Sequence, residues 1–402
     1  MALMPVAEAL VRVLADARSL PSENIALPQG RGRVLSQDLS ALRTQPPDAV
    51  SAMDGYAVRA EDVSQAPVTL TLIGEVAAGH PFDGVVGKGQ AARIFTGGVM
   101  PAGADTVVIQ EHTERDGGTV SIQKPAAKDR NVRAKGIDFA QGDALLSRGR
   151  LLTDRDLMLA AAMNHPSLPV SRRPKVAILG TGDELIMPGQ PLKAGEIVYS
   201  NGFALTALAQ SEGADVIDLG IARDTLDDIV NRVRRARDEG CDILVTSGGA
   251  SVGDHDLVQR ALAAEGLDLS FWRVALRPGR PMMHGRLDQM HVLGLPGNPV
   301  SSYVCAFLFL VPLIRKLSGR TDIDHRLETA LLGRDLPEND ERADYLRATL
   351  EPGPEGPIAT PVANQDSSLM APLAAADCLL IRPSHDPAMV SGSRCVILKL
   401  PL

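Results

Sequence analysis

Apolar and polar positions along this chain follow two rhythms, and each change of rhythm marks a new part of the molecule. Over residues 5–17, Val6, Leu10, Val13 and Leu14 recur at helical spacing, while Glu8 and Arg12 break the apolar run a signal peptide would need. From about residue 45 to 145 the pattern shortens to β runs at 68–73, 92–95, 106–109 and 119–122, divided by Gly and Pro, which predicts a small β-rich module. Thr153 then caps a helix running through Met163, and 166–174 reads as a proline-punctuated linker.

Residues 175–318 alternate strand and helix. A strand over 176–179 ends in Gly180-Thr181-Gly182-Asp183-Glu184, and a helix follows Ser200-Asn201 and stops at Gly213. A strand over 216–221 runs to Asp224, Thr225 opens a long helix that stops at Gly240, and Ile243, Leu244 and Val245 form the next strand. That βαβ rhythm predicts a parallel sheet with helices on both faces. The most apolar stretch, 300–314, is shorter than the ~20 residues a membrane span requires, and Pro312 would kink it, so a buried core helix is expected. Beyond Gly319 the β pattern returns near 327–332, 345–350, 378–381 and 394–400, enough for a small barrel. The fold class is therefore multidomain α/β. Residues 1–45 and 146–171 form an N-terminal helical and linking domain, 46–145 an inserted β-rich module, 172–320 a central parallel-sheet α/β domain and 321–402 a C-terminal β-barrel.

Composition narrows the function classes. Aromatic residues make up 3%, with one Trp, and the net charge is −8, so neither base stacking nor phosphate-backbone neutralisation suits this surface. The four cysteines are far apart in sequence with no C-x-x-C pair, which disfavours zinc and suggests reduced core thiols in the cytosol.

Chemistry concentrates at strand ends. The run Thr246-Ser247-Gly248-Gly249-Ala250-Ser251-Val252-Gly253 is a tight loop between a buried strand and a helix with Leu257, Val258, Ala261 and Leu262 on one face. Backbone N–H groups in such a loop, with a helix dipole behind them, suit a phosphate-like anion, and the carboxylates of Asp254 and Asp256 beside it suit a divalent cation. A plain βα turn with solvated acids would read the same way. Ligands of parallel sheets bind beyond the carboxyl ends of the strands, and Glu184, Asp224 and Asp256 all sit just past such an end. Leu295-Pro296-Gly297-Asn298-Pro299-Val300-Ser301 is a second junction, with Asn298 as N-cap and Pro299 in the first turn; it is either another anion site or the start of a buried helix. Arg273, Arg277 and Arg280 form the basic cluster nearest these loops and fit a polyanionic small molecule, or else a solvated surface. In the β-rich module, Asp54 in Ser51-Ala52-Met53-Asp54-Gly55-Tyr56-Ala57 and Thr96 before Gly97-Gly98 are, by themselves, ordinary turn chemistry.

Taken together, 51–58, Thr96-Gly97, Thr181-Gly182-Asp183-Glu184-Leu185, Ser247-Gly248-Gly249 with Ser251-Val252-Gly253, Arg277-Pro278-Gly279-Arg280-Pro281 and 295–301 resemble the MoeA family, molybdopterin molybdenumtransferases akin to the E domain of gephyrin. The order and spacing of these motifs match across nearly the whole chain. The resemblance implies a cytoplasmic enzyme that inserts molybdate into adenylylated molybdopterin, releases AMP and uses magnesium. It implies a homodimer of elongated four-domain subunits, each cleft lying between the α/β domain of one chain and the β-rich module of the other. Further partners it suggests are the molybdopterin adenylyltransferase and molybdoenzyme apo-proteins, with no nucleic acid and no membrane.

Carried over by position, the family's essential acids fall on Asp54, Asp138, Glu184, Asp224 and Asp256, and its threonine on Thr96, with Glu184, Asp224 and Asp256 as the metal-holding set. Ser247, Gly248, Gly249, Ser251, Gly253, Pro296, Gly297, Asn298 and Pro299 would line the nucleotide-pterin site with Arg273, Arg277 and Arg280. The family often has lysine at the three arginine positions; arginine keeps the charge and changes the geometry. Arg347 and Ser367 match positions associated with the oxyanion. Two other functions share these features: a dimeric scaffold of the gephyrin E-domain type, and an adenylyltransferase or pyrophosphatase on the same α/β domain.

Overall fold

The computed structural model describes residues 3–248 and 257–401. Its centre is a sheet of six strands: β1 (Lys175–Thr181), β2 (Asp215–Ala222), β3 (Ile243–Ser247), β4 (Asp268–Trp272), β5 (Met283–Leu287) and β6 (Met290–Leu295), ordered β2-β1-β3-β6-β5-β4. The four strands β2, β1, β3 and β6 run parallel. The wholly parallel sheet expected from the rhythm is corrected at one edge, where β5 and β4 run antiparallel. Only Asp288 and Gln289 separate β5 from β6, and two residues can close a hairpin but cannot carry a crossover helix. β3 is buried along its whole length, which is why it reads as an unbroken apolar run.

Helices α1 (Asn201–Ser211), α2 (Leu226–Asp238) and α3 (Leu257–Ala264) cover the sheet. One face gathers Ile178, Leu205, Val245 and Leu293; the other gathers Leu179, Ile229, Leu244 and Val292. The Thr225 hydroxyl caps α2, with acids in its first turn and Arg235 and Arg237 in its last, each sign opposite to the adjacent end of the helix dipole. The helix after β6 spans Pro299–Leu317. At 19 residues it is longer than the 300–314 stretch and meets the length and composition of a membrane span, yet 83% of its apolar window is buried inside the protein. Burial, rather than shortness, makes it a core helix. A π-helical turn at Ala306–Leu310 precedes Pro312 and accommodates its missing N–H.

The first helix, Val6–Ala15, inserts Ala9 and Val13 into the same core as Ile178 and Leu293, so it is stitched to the α/β unit. The 166–174 stretch is no linker: Ser167–Ser171 pairs antiparallel with Ser22–Ala26. Among the described residues the other edge of 167–171 makes only an isolated bridge, Leu35 with Val170, where Pro169 accepts from the Ser36 N–H through its carbonyl and its missing donor breaks no continuous ladder. The β-rich module is built on a six-stranded sheet ordered 106–109, 55–58, 90–94, 68–76, 119–122 and 113–116, with a separate short ribbon of Val50–Ser51 and Val132–Arg133. In the C-terminal region Leu327–Leu332, Ala343–Glu351, Ile358–Pro361, Cys378–Arg382 and Arg394–Lys399 each pair with two neighbours and close a five-stranded barrel. Leu276–Arg277 of the α/β domain pairs with Ala343 and Asp344 of that barrel, tying the two together.

Candidate active-site cleft

The carboxyl ends of β1, β3 and β6 open into a cleft of about 1450 Å³. Its floor is made by the predicted loops: Thr181, Gly182 and Glu184 after β1, Ser247 and Gly248 after β3, and Pro296, Gly297, Asn298 and Pro299 after β6. Asp224, past the end of β2, joins them. Gly182 and Gly248 both hold positive φ, +142° and +96°, where a side chain would be strained. A Cβ on Gly248 would stand 2.6 Å from the carbonyl oxygen of Thr181, so only glycine lets the two loops meet.

Sequence reasoning missed the residue that joins these loops. The Asn201 amide at the start of α1 donates to Ser247 Oγ and to the Gly297 carbonyl, both at 2.8 Å. The Ser-Asn pair was visible as a helix start, but its long-range bonds were not. The apolar wall was also missed: Leu185, Leu192, Ile197, Val198 and Met370 line the cleft, and Leu192 and Ile197 are more than half exposed. Exposed aliphatics of this kind suit one face of a planar heterocycle.

Among the three arginines, Arg273 and Arg280 reach the cleft. Arg273 does so from a φ of +83°, an unfavourable backbone state for a residue with a Cβ and a mark of constraint at a site. Arg277 turns away. It donates to Asp340 and Asn339 and forms a two-point pair with Asp344, all in the barrel.

The residues assigned to the oxyanion divide in the same way. Arg347 is 1% exposed and donates to the carbonyls of Asn364, Asp366 and Leu369, holding the barrel loop that carries Ser367. Ser367 accepts from Asn298 Nδ2 at 2.9 Å through its hydroxyl and from the Val300 N–H through its carbonyl, so it closes the N-terminus of the long helix. Its neighbour Ser368 lines the cleft.

Two of the expected acids, Glu184 and Asp224, share the cleft, and Asp256, Gly249, Ser251 and Gly253 lie outside the described residues. Asp183, which the sequence reading passed over, exchanges backbone-to-carboxylate bonds with Asp224 in both directions, at 3.1 and 3.4 Å. Among the described residues no group of three His, Cys, Asp or Glu encloses a metal. Carboxylate oxygens are nevertheless hard donors, and magnesium is commonly held by one or two of them together with substrate phosphates and water, so Glu184 and Asp224 fit that ion.

Asp54, Thr96 and Asp138 contribute nothing to this cleft, whose lining holds no residue of 46–145. Asp54 Oδ1 accepts from both the N–H and the hydroxyl of Thr96 at 2.8 Å. Those bonds, backbone first, hold the Asp54 carboxyl below its ordinary value, so it is a stable anion at neutral pH. Asp138 is exposed in a turn.

A multidomain α/β protein with a cleft at its strand ends, lined by two arginines, a pair of carboxylates and an apolar wall, is the class these features define. Three family models cover the chain: MoeA N-terminal region (domain I and II) over 4–164, "Probable molybdopterin binding domain" over 177–316, and MoeA C-terminal region (domain IV) over 329–400. A molybdopterin molybdenumtransferase of Nostoc sp. is 35% identical, over 95% of this chain and 89% of its own length. One of Haemophilus influenzae is 33% identical, over 94% and 93%. The crystal structure of a molybdopterin biosynthesis MoeA protein from Pyrococcus horikoshii superposes with a TM-score of 0.86 at 32% identity, covering 99% of both chains. The chain belongs to the MoeA family.

Proposed function

We propose that this chain is a molybdopterin molybdenumtransferase, inserting molybdate into adenylylated molybdopterin and releasing AMP. The observation that carries the reading is one cleft in which the loops after β1, β3 and β6, Arg273, Arg280, Glu184, Asp224 and an apolar wall converge. A nucleotide joined to a pterin needs each of these: N–H donors and arginines for the phosphates, aliphatic surface for the heterocycle. In the transfer the two dithiolene thiols give up protons, two molybdenum–sulfur bonds form and one oxo ligand leaves as water, while hydrolysis of the phosphoanhydride frees AMP. The chain's own part is to hold two mutually repelling anions in one geometry, for which the two arginines supply the opposing charge. Magnesium, held by Glu184 and Asp224, would neutralise phosphate charge when bound. No side chain in the cleft needs to act as a covalent nucleophile. Purified protein given adenylylated molybdopterin, molybdate and magnesium should release AMP, and Glu184→Gln should slow release at least ~100-fold; an unaltered rate would remove Glu184 from the machinery.

The reading extends to assembly and location. The Asp54–Thr96 pair is an ordered anionic site with no share in its own chain's cleft, which supports a homodimer in which it faces the partner's cleft. Light scattering should give twice the chain mass. Mixing inactive Asp54→Asn and Glu184→Gln chains should restore part of the activity by assembling one intact cleft; two fully dead variants that stay dead when mixed would sink the shared-cleft arrangement. We place the enzyme in the cytoplasm, where its substrates and the suggested adenylyltransferase and apo-protein partners would meet it. The scaffold and adenylyltransferase readings are less favoured, because the curated relatives that match almost end to end are named molybdenumtransferases.

A further inference from the structure

The barrel side of the cleft carries a hydroxyl whose proton is already committed. Ser368 lines the cleft and is exposed there. Its Oγ donates to Asp366 Oδ1 at 2.6 Å, and its N–H donates to the same oxygen at 2.8 Å. A carboxylate only accepts, so the serine hydrogen is spent within the loop, and what Oγ has left to offer a ligand is lone pairs. The same two bonds hold the Asp366 carboxyl below its ordinary value, so it stays an anion at neutral pH. The loop is fixed from behind, because Arg347 donates to the carbonyls of Asn364, Asp366 and Leu369 on either side of Ser368. Two residues on, Met370 is about half exposed in the same cleft.

A molybdate or phosphate dianion has no hydrogen to give such a serine, and the Asp366 charge beside it is repulsive. What fits is a ring that lays an apolar face on Met370 and turns an amino or N–H edge to Ser368. We infer that Ser368 is a specificity-determining residue of the cleft, accepting a hydrogen bond through Oγ from an N–H of a substrate heterocycle. The inference rests on the proposed function and assigns one end of its substrate to the barrel edge. It also sets Ser368 apart from its neighbour Ser367, the position matched to the oxyanion. Both rings of adenylylated molybdopterin carry such hydrogens, adenine on its exocyclic amine and the pterin on its amine and ring nitrogens. A site built to receive an N–H discriminates against ligands that cannot supply one.

Ser368→Ala removes the acceptor and keeps the loop, whose bonds to Arg347 run through backbone carbonyls. Calorimetric titrations of wild type and variant with AMP, with molybdopterin and with molybdate, each alone with magnesium present, read the parts of the substrate separately. The dissociation constant of AMP, of molybdopterin or of both should rise about 3- to 10-fold, and whichever rises more names the ring. That of molybdate should stay at the wild-type value. Unchanged affinity for both ring-bearing ligands, or weakened molybdate binding, would overturn the inference while leaving the proposed function standing. A wild-type protein that binds none of the three would overturn both.

Discussion

At the scale of single residues, burial decides which arginine does what. In sequence, Arg273, Arg277 and Arg280 read as a cluster for a polyanionic small molecule and Arg347, by resemblance, as an oxyanion position, but of the four only Arg273 and Arg280 reach the cleft. Arg347 is spent on its own chain. Its guanidinium satisfies three carbonyls of the 364–369 loop, and Gln365 bonds its Nε and backbone. Removing it orphans those acceptors at once. Arg347→Ala should lower stability by about 2–4 kcal/mol in denaturant unfolding and weaken ligand binding through displacement of Ser367 and Ser368. Arg347→Lys should recover little, because an ammonium cannot span the fork of acceptors. Stability equal to wild type with weakened molybdate binding would instead mean direct contact with the anion.

At the scale of elements, the β5–β6 hairpin carries a feature that no periodicity announces. His284 and His291 stack with ring centroids 5.6 Å apart and share a 3.3 Å nitrogen–nitrogen contact. Burial, reinforced by the neighbouring His291 and Arg286 charges, pushes His284 down to about 3, and burial with Arg286 pushes His291 down to about 4. Both stay neutral in the fold and take up protons near 6.5 when the chain unfolds. The unfolded state therefore binds more protons between these values, and stability rises with pH across that window. Stability should be level above about pH 7.5 and fall as pH drops from 6.5 towards 4, read as the urea midpoint. His284→Leu/His291→Leu should remove most of that slope, leaving the smaller share of His325, whose buried ring is also shifted down. Carboxylates held low by hydrogen bonds, such as Asp156 and Asp228, act only at lower pH, so the two effects separate. A double variant with the wild-type slope would assign it elsewhere.

At the scale of the molecule, Arg277 ties two domains together. Its strand pairs with the barrel, and its guanidinium meets Asp344, a carboxylate whose side chain is 7% exposed. Arg277→Ala should cost about 1–3 kcal/mol, mostly because Asp344 is left buried without its partner. The double variant Arg277→Ala/Asp344→Asn should be less destabilised than the single one. Thermal midpoints give the comparison; equal midpoints for wild type and Arg277→Ala would make the pair a surface contact of no consequence.

What the sequence determined by itself is local. Strands at 106–109, 119–122 and 327–332 are legible to the residue because period-two or continuous apolar runs meet clear turn residues. Thr153 and Thr225 mark their helices because a hydroxyl before acids satisfies orphan N–H groups whatever surrounds it. Parallel strands ending in Gly-rich loops place the cleft at one edge of the sheet, and Glu184 and Asp224 followed from that alone. Tertiary structure decided everything that depends on distance through space. Ser167–Ser171 looked like a linker because its partner lies some 140 residues earlier. Ile358–Pro361 closes the barrel although its proline hides it from any strand pattern. Asn201 and Ser368 gained their place from loops far apart in sequence, and Arg277 and Arg347 lost theirs to carboxylates and carbonyls that only folding brings near. A motif specifies which chemical groups are available, while the packed structure determines which of them still have a free hydrogen bond or charge to offer a ligand.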